Sequence, residues 1–459
     1  MSLDQTFSIR TRIARPADVV FGWHERPGAL QRLCPPWETV EASTSPEGIR
    51  DGAIVTVRNK FGPWWLKWTV EHRDYVQGSH FRDVQLSGPF ARWEHLHRFV
   101  PDGPDACWLI DEITYRLPVG GIGKTIGSGF VRRELSRLFK WRHATTKTDL
   151  EAELLASAVG ARHIVIAGAS GLIGRTLIPF LQTQGHHVTR LVRRSPAGND
   201  ELYWNPGAGE LEARALDGVD TIINLSGENI AGGRWTAERR DAIFRSRVDA
   251  TKTLVGAVQR MSRKPESFLS ASAVGFYGDR GEEMLTERST IGQGFLPEVC
   301  LAWETHAQGA RKMGVRTALM RFGVILSPAG GALAKLLPVF RAGVGGAVGG
   351  GRQWMSWVGI DDVLGAIHHA MLNRDAEGPI NVVAPEPATN REFTRVLASV
   401  LHRPAIVPVP RFALETLFGE MADATLLASE RAVPERLIKL GYTFRYPELD
   451  KALRHGLGR

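Results

Sequence analysis

The sequence predicts two domains of unlike class. An α+β domain of antiparallel strands spans residues 1–156, and an α/β domain with a doubly wound parallel sheet spans residues 162–459. Three observations carry this. Up to about residue 150, apolar and polar residues alternate in short runs between Gly and Pro, the period of half-buried antiparallel strands. Near residue 160 the pattern becomes a continuous apolar run, a glycine cluster, a helical stretch and another strand, which is a β-α-β unit. Beyond it, strands go on alternating with helical stretches.

The alternating segments of the first half are FSIRTRIA, DGAIVTVRNK, WWLKWTVEHRDYV, HFRDVQL, RWEHLHRFV and CWLIDEITYRL. Between the first two lies RPADVVFGWHERPGALQRL, with helical spacing of Val20, Trp23 and Leu30. After the last comes GSGFVRRELSRLFKWRHATTKTDLEAELLA, where Phe130, Leu135, Leu138, Phe139 and Trp141 recur at three-to-four spacing. Trp64, Trp65, Trp68, Trp93, Trp108 and Trp141 either line a cavity or are ordinary core and surface aromatics. The small-residue stretch LLASAVGAR reads as the linker.

The second half opens with the buried strand HIVIA and then Gly168, Ala169, Ser170, Gly171, Leu172, Ile173 and Gly174 at the start of a helix. Glycine is needed there for a tight turn, for close approach of backbone to a pyrophosphate, and for helix–strand packing. The anion then meets unpaired N–H groups at the helix N-terminus. An NAD enzyme places a carboxylate ~20 residues further on, for the ribose 2′-hydroxyl. Here HHVTRLV ends instead in Arg193 and Arg194. Two guanidinium groups suit a 2′-phosphate, so NADP(H) is the expected cofactor, the alternative being a solvated basic turn. TIINLSG, SFLSASAV, TALMRFGVIL and PINVVA supply further strands. RAGVGGAVGGGRQW reads as a flexible loop, either a lid or plain surface, and PATNREFTRVLASVLHR as a helix starting at Thr389 or Asn390.

Composition sets the outer bounds. With 43% apolar and 23% charged residues, the chain is neither disordered nor fibrous. No run of 18 apolar residues or apolar leader is visible, so no membrane span and a cytoplasmic location are expected. Three cysteines, Cys34, Cys107 and Cys300, without C-x-x-C spacing predict neither a disulfide framework nor a metal site. The net charge of +8 comes without a basic block, which argues against nucleic acid as a partner. The expected partner is a small-molecule substrate, with the oligomeric state left open.

In element order the first ~150 residues resemble the START-like polyketide cyclase/dehydrase superfamily, also called SRPBCC. The resemblance implies a helix-grip fold, a sheet wrapped on a long helix around a cavity for a hydrophobic ligand. From residue 162 onward the chain resembles the extended short-chain dehydrogenase/reductase (extended SDR) superfamily, and more narrowly its epimerase-like, or SulA-like, branch. GASGLIG, LYWNP, INLSGENIAGGRW, SASAVGFYGD, VCLAWE, RFGVILSP, WMSWVGIDDV, APEPATNREFTRVLASVLHRPAIVPVP and RLIKLGYTFRYPEL carry it, in that order. It implies a Rossmann-type nucleotide-binding sheet and an NADP-dependent oxidoreductase or epimerase acting on a hydrophobic or sugar-like substrate. It also implies cofactor contacts from Asn224, Ser226, Gly227 and Glu228, although Asn224 has a second reading as a turn former. Arg321 is then expected near the nicotinamide or substrate, and Asp361 and Asp362 at a helix N-cap and first turn. The part after about residue 325 becomes a substrate-side lobe.

The catalytic pattern departs from the family's. Typical members use Ser or Thr with Tyr and Lys four apart on one helix face; the lysine lowers the tyrosine's pKa. On the matching helix Cys300 stands for the tyrosine and Glu304 for the lysine. A carboxylate raises the pKa of a nearby thiol, which disfavours Cys300 as a thiolate. Glu304 is a candidate general acid or base, or else a carboxylate bonded to ribose or capping a helix. Tyr277 of GFYG is a candidate to reach the substrate. Ser272 takes the serine's role if GFYG carries one extra residue, whereas ungapped alignment puts Ala273 there. Two readings follow. One is an enzyme with unusual acid–base groups. The other is a catalytically silent NADP(H)-binding sensor or scaffold whose START-like domain binds an apolar ligand.

Overall fold

The alternation of the first half becomes one antiparallel sheet. Its strands are β1 (Gln5–Ile13), β2 (Val40–Thr44), β3 (Ile54–Phe61), β4 (Trp64–Val76), β5 (His80–Ser87), β6 (Arg92–Pro101) and β7 (Cys107–Arg116), in the order β1-β7-β6-β5-β4-β3-β2. The structure, a computed structural model, describes residues 4–44, 47–61, 63–118, 123–157 and 159–459. In β7 every second residue is buried, as the period of two requires. β2 was not among the expected strands; VEAST is short and polar, and lies at the sheet edge. The helical stretch after β1 splits into α1 (Ala17–Glu25) and α2 (Ala29–Arg32) at Pro27-Gly28, where Gly28 has φ +86°.

The long amphipathic stretch forms α3 (Gly123–Ser157). Leu135 and Phe139 pack with Phe7, Trp93, Ile113 and Tyr115, whereas Phe130 is exposed. Two of the six tryptophans, Trp68 and Trp93, line a cavity of about 590 Å³ in this unit. The others are ordinary aromatics. Trp64 and Trp65 are exposed, Trp108 lies under the Arg10 guanidinium at 4.9 Å, and Trp141 is buried against Trp37.

The chain divides into two compact units, one mainly of residues up to Leu154 and the other mainly of Leu155–Leu181 and His186–Leu457. Residue 158 of the expected linker lies outside the described residues. The second unit holds β8 (His163–Ala167), α4 (Leu172–Thr183), β9 (His187–Val192), β10 (Glu201–Tyr203), β11 (Thr221–Asn224), α5 (Ala237–Arg260), β12 (Ser267–Ala273) and α6 (Phe295–Arg311). Two more strands, Arg316–Phe322 and Gly378–Val382, complete a seven-stranded parallel sheet after β12, in the order β10-β9-β8-β11-β12 and then those two. Ile164, Val165, Ile166 and Ala167 are fully buried, which is why β8 reads as a continuous apolar run. The strand order reverses between β8 and β11, where a ligand crevice opens in such sheets.

Beyond residue 325, Gly378–Val382 returns to the main sheet. Two expectations need correction. The glycine-rich loop is pinned rather than free. Val407 N–H bonds to Gly345 O at 3.1 Å and Val409 N–H to Ala347 O at 2.9 Å, and a Cβ on Gly346 would collide with Val407 O. Neither Asp361 nor Asp362 caps the helix Ile360–Leu372, whose N-cap is Gly359. Both sit in its first turn, and Asp362 accepts the backbone N–H groups of Arg445 (2.7 Å) and Tyr446 (3.0 Å) and the Tyr442 hydroxyl (2.9 Å). The helix from Asn390 with Thr389 as its N-cap is as expected.

A buried histidine pair makes the second unit acid-sensitive. His186 accepts the Arg162 N–H at Nδ1 (3.2 Å), so its proton sits on Nε2, facing Nε2 of His368 at 3.0 Å. Burial holds His186 down to about 4 and His368 well below its usual value. Depressed histidine pKa values give stability that is complete above the unfolded value and lost as pH falls toward the folded one. The thermal midpoint is expected to drop between about pH 6.5 and about pH 4, with a shallower slope in His368→Leu, measured by circular dichroism melts.

Candidate active site

The glycine turn after β8 packs closely on its own backbone and on the loop after β11. Gly168 has φ +81°, and a Cβ there would lie 2.6 Å from the Leu225 carbonyl carbon. A Cβ on Gly174 would lie 2.4 Å from Gly168 O. Gly171 N–H closes the turn on Gly168 O at 3.1 Å. Ser170 is exposed at the mouth, and Leu172 and Ile173 open α4, whose first N–H groups lack intrahelical partners. Facing this turn is the loop after β11. Asn224 is fully buried there, donating to Thr251 Oγ1 (2.9 Å) and accepting the Ser226 N–H at Oδ1 (3.2 Å). Asn224 therefore shapes the loop as a turn former, with both ends of its amide committed. Ser226 Oγ is buried with no hydrogen-bond partner. Gly227 and Glu228 are exposed; the Gly227 backbone lies against the Arg247 guanidinium, and the Glu228 carboxylate pairs with Arg239 at 3.0 Å. The unmet Ser226 hydroxyl beside the glycine turn and the start of α4 fits a phosphate-bearing dinucleotide.

The two arginines after β9 differ. Arg193 is exposed and makes no hydrogen bond or ion pair among the described residues. Arg194 grips Glu201 with two bonds of 2.7 and 2.6 Å. A carboxylate does stand beside these arginines, then, supplied by the unexpected strand β10. It is already committed, to Arg194, to the Ala197 N–H (2.7 Å) and to Arg190 (3.2 Å), and these donors hold it down to about 2.

The candidate catalytic residues meet further along the sheet. Ser272, Arg321 and Asn381 stand in register on three neighbouring parallel strands, so their side chains share a face. α6 packs against β12 and brings Glu304 to them. Arg321 binds Glu304 through Nε (2.7 Å) and Nη2 (2.8 Å), and Ser272 Oγ donates to Glu304 Oε1 at 2.7 Å. Nη1 of Arg321 donates to the Tyr277 hydroxyl (3.0 Å), which donates to Asn381 Oδ1 (2.7 Å). The guanidinium lies 3.6 Å from the Phe276 ring centroid. Tyr277 is fully buried, and burial raises its pKa against the opposing pull of Arg321. Glu304 and Arg321 are only 4% and 3% exposed, so the pair is shielded from solvent.

Three of the four expected catalytic residues, Ser272, Glu304 and Tyr277, thus join one network, and Ser272 rather than Ala273 faces Glu304. Glu304 is bonded to Arg321 and Ser272. Arg321 itself is buried in this network. Cys300 lies one turn from Glu304, its thiol directed at Ala273 O at 3.8 Å, and burial and the Glu304 charge push it up to about 12. It is no thiolate nucleophile. Sequence reasoning missed Asn381, a polar residue inside an apolar strand. It also missed Glu430, near Gly275, whose carboxyl burial and Asp279 push up to about 8. A lone glutamate in a polar tail carries no signal.

The chain is similar to known proteins. The profile of the NAD dependent epimerase/dehydratase family matches residues 164–384, and a domain of unknown function (DUF1731) matches residues 409–456. An epimerase family protein of Mycobacterium bovis is 40% identical over 296 residues, 64% of this chain and 98% of that protein. The human epimerase family protein SDR39U1, solved with NADPH, is 30% identical with a TM-score of 0.59, covering 64% of this chain and 98% of that one. A nucleoside-diphosphate sugar epimerase from Corynebacterium glutamicum is similar over both units, with 34% identity, a TM-score of 0.82, and coverage of 98% of this chain and 90% of that one. Among the described residues no helix is long and apolar enough to cross a membrane. The chain belongs to the NAD-dependent epimerase/dehydratase family of extended, NAD(P)-binding short-chain dehydrogenases/reductases.

Proposed function

We propose that this chain is an NADP(H)-dependent oxidoreductase or epimerase-type enzyme, with Ser272 and Glu304 handling the proton that accompanies hydride transfer. The observation that carries it is the Ser272–Glu304–Arg321 network, in the same unit as the glycine turn and the unmet Ser226 hydroxyl. NADP(H), when bound, supplies or accepts the hydride. The glycine turn and Ser226 hold the pyrophosphate side. Arg193 takes the 2′-phosphate, and the committed state of Glu201 removes the carboxylate that would favour a bare ribose. The NADPH carried by human SDR39U1 agrees with this choice. Ser272 passes a proton toward Glu304, while Arg321 neutralises the charge that Glu304 carries. Tyr277 positions Arg321.

The first unit is a START-like helix-grip domain over residues 1–156 in this reading. Its antiparallel sheet, its 35-residue helix and a cavity of about 590 Å³ support this. That volume suits a drug-sized apolar ligand. The catalytically silent alternative keeps one supporting observation, the depth at which Glu304 and Arg321 lie.

Cofactor fluorescence titration is expected to show NADPH binding more tightly than NADH. Arg193→Ala should weaken NADPH by roughly tenfold and leave NADH unchanged, the worth of one charge-assisted hydrogen bond. Equal affinities in wild type would overturn the NADP assignment. Across carbonyl and sugar-nucleotide substrates, Ser272→Ala should lower kcat by about 100-fold with cofactor affinity retained. Cofactor binding without turnover on any substrate favours the silent reading. Glu304→Gln leaves a buried guanidinium half-paired and should cost about 3–5 kcal/mol in denaturant unfolding.

A further inference from the structure

The expectation of no metal rested on cysteine spacing alone, and the first unit gathers histidines and carboxylates that this criterion does not see. His95 and His97 lie on the same face of β6, with ring centroids 3.7 Å apart. Both rings stand between two carboxylates. On one side His95 Nε2 and His97 Nδ1 approach Asp111 Oδ1 at 2.7 and 2.8 Å. On the other, His95 Nδ1 and His97 Nε2 approach Asp83 Oδ2 at 3.6 and 3.1 Å.

An ionised carboxylate only accepts, so each nitrogen facing Asp111 carries a proton. In the neutral rings the opposite nitrogens then present lone pairs to Asp83, another acceptor. A proton on one ring or a metal ion between them resolves this meeting of acceptors. This is also how metal-binding histidines are held, one nitrogen on the ion and the other N–H on a carboxylate behind. His143, from α3, braces Asp111 in turn, with Nε2 at 2.5 Å from Oδ2.

A second observation points the same way. His72 Nδ1 lies 2.7 Å from Asp83 Oδ1, but off the line of a hydrogen bond, and both buried atoms keep unmet capacity. His72, Asp83, His95 and His97 all line the 590 Å³ cavity, whereas Asp111 stands behind them.

We propose that Asp83, His95 and His97 bind a divalent first-row transition metal at the wall of this cavity, with Asp111 as a positioning residue and His72 at its edge. The ligand atoms of the three lie within 4.8 Å of one another. Two imidazoles and one carboxylate suit zinc or iron(II), and leave coordination positions open toward the cavity. An apolar ligand bearing an oxygen or nitrogen donor is the class such a centre would hold. The proposal stands apart from the nucleotide site and does not depend on it.

The test uses the full chain, stripped with a chelator and titrated with cobalt(II) while visible d–d absorption is followed. One equivalent per chain, displaced by zinc, is expected. Asp83→Ala and His97→Ala should abolish the bands, and Asp111→Asn should weaken cobalt about 10–100-fold. Circular dichroism melts establish which variants fold. A folded wild-type chain that takes up no cobalt overturns the proposal without any variant, as does uptake that persists unchanged in a folded Asp83→Ala or His97→Ala chain. NADPH titration of the same samples reads the other site separately.

Discussion

The ion pair between Glu304 and Arg321 is the constraint around which the second unit's site is organised. Desolvating two charges costs several kcal/mol per ion, and their attraction offsets this only when nearly every donor and acceptor is used. That condition is met. Glu304 takes two bonds from the guanidinium and one from Ser272, and the remaining Arg321 amino group holds Tyr277, which is anchored on Asn381. Removing any one of these side chains leaves a buried polar group unmet. The network therefore fixes the spacing between α6 and three strands of the sheet.

In this pair the positive charge comes from the sheet and the negative charge from the helix. In the usual pattern, tyrosine and cation share one helix face. Here the helix contributes the carboxylate and the neighbouring strand contributes the cation. Arg321 cannot be read as Glu304's partner from the helix alone, because the two meet only through sheet register, Ser272 opposite Arg321.

That distinction separates what the sequence made legible from what it hid. Local periodicity revealed six strands of the first sheet, the β-α-β turn at Gly168 and the long helix, since each is written in consecutive residues. β2 and β10 escaped because VEAST and ELY are too short to show a period. Missing β10 meant missing Glu201, and with it the difference between Arg193 and Arg194. The helix spacing put Glu304 beside Cys300, but Glu304's bonding partners come from β12 and the strand Arg316–Phe322. Long-range pairing of that kind leaves no pattern in a single chain.

The two units solve the same problem, a buried carboxylate, with different cations, and the choice sets what each site can do. A guanidinium holds its proton under all ordinary conditions, so Arg321 keeps its charge and its place against Glu304. Imidazole is exchangeable. Around Asp83 and Asp111 the carboxylates outweigh the cost of burial and hold His97 up to about 9. A proton so held can be replaced by another cation without rebuilding the site, because the ring orientations are set by Asp111 from behind. A guanidinium offers no lone pair to a metal, whereas an imidazole offers one as soon as its proton leaves. The arginine network is accordingly suited to keeping geometry fixed beside a reacting cofactor, and the histidine cluster to exchanging what it binds.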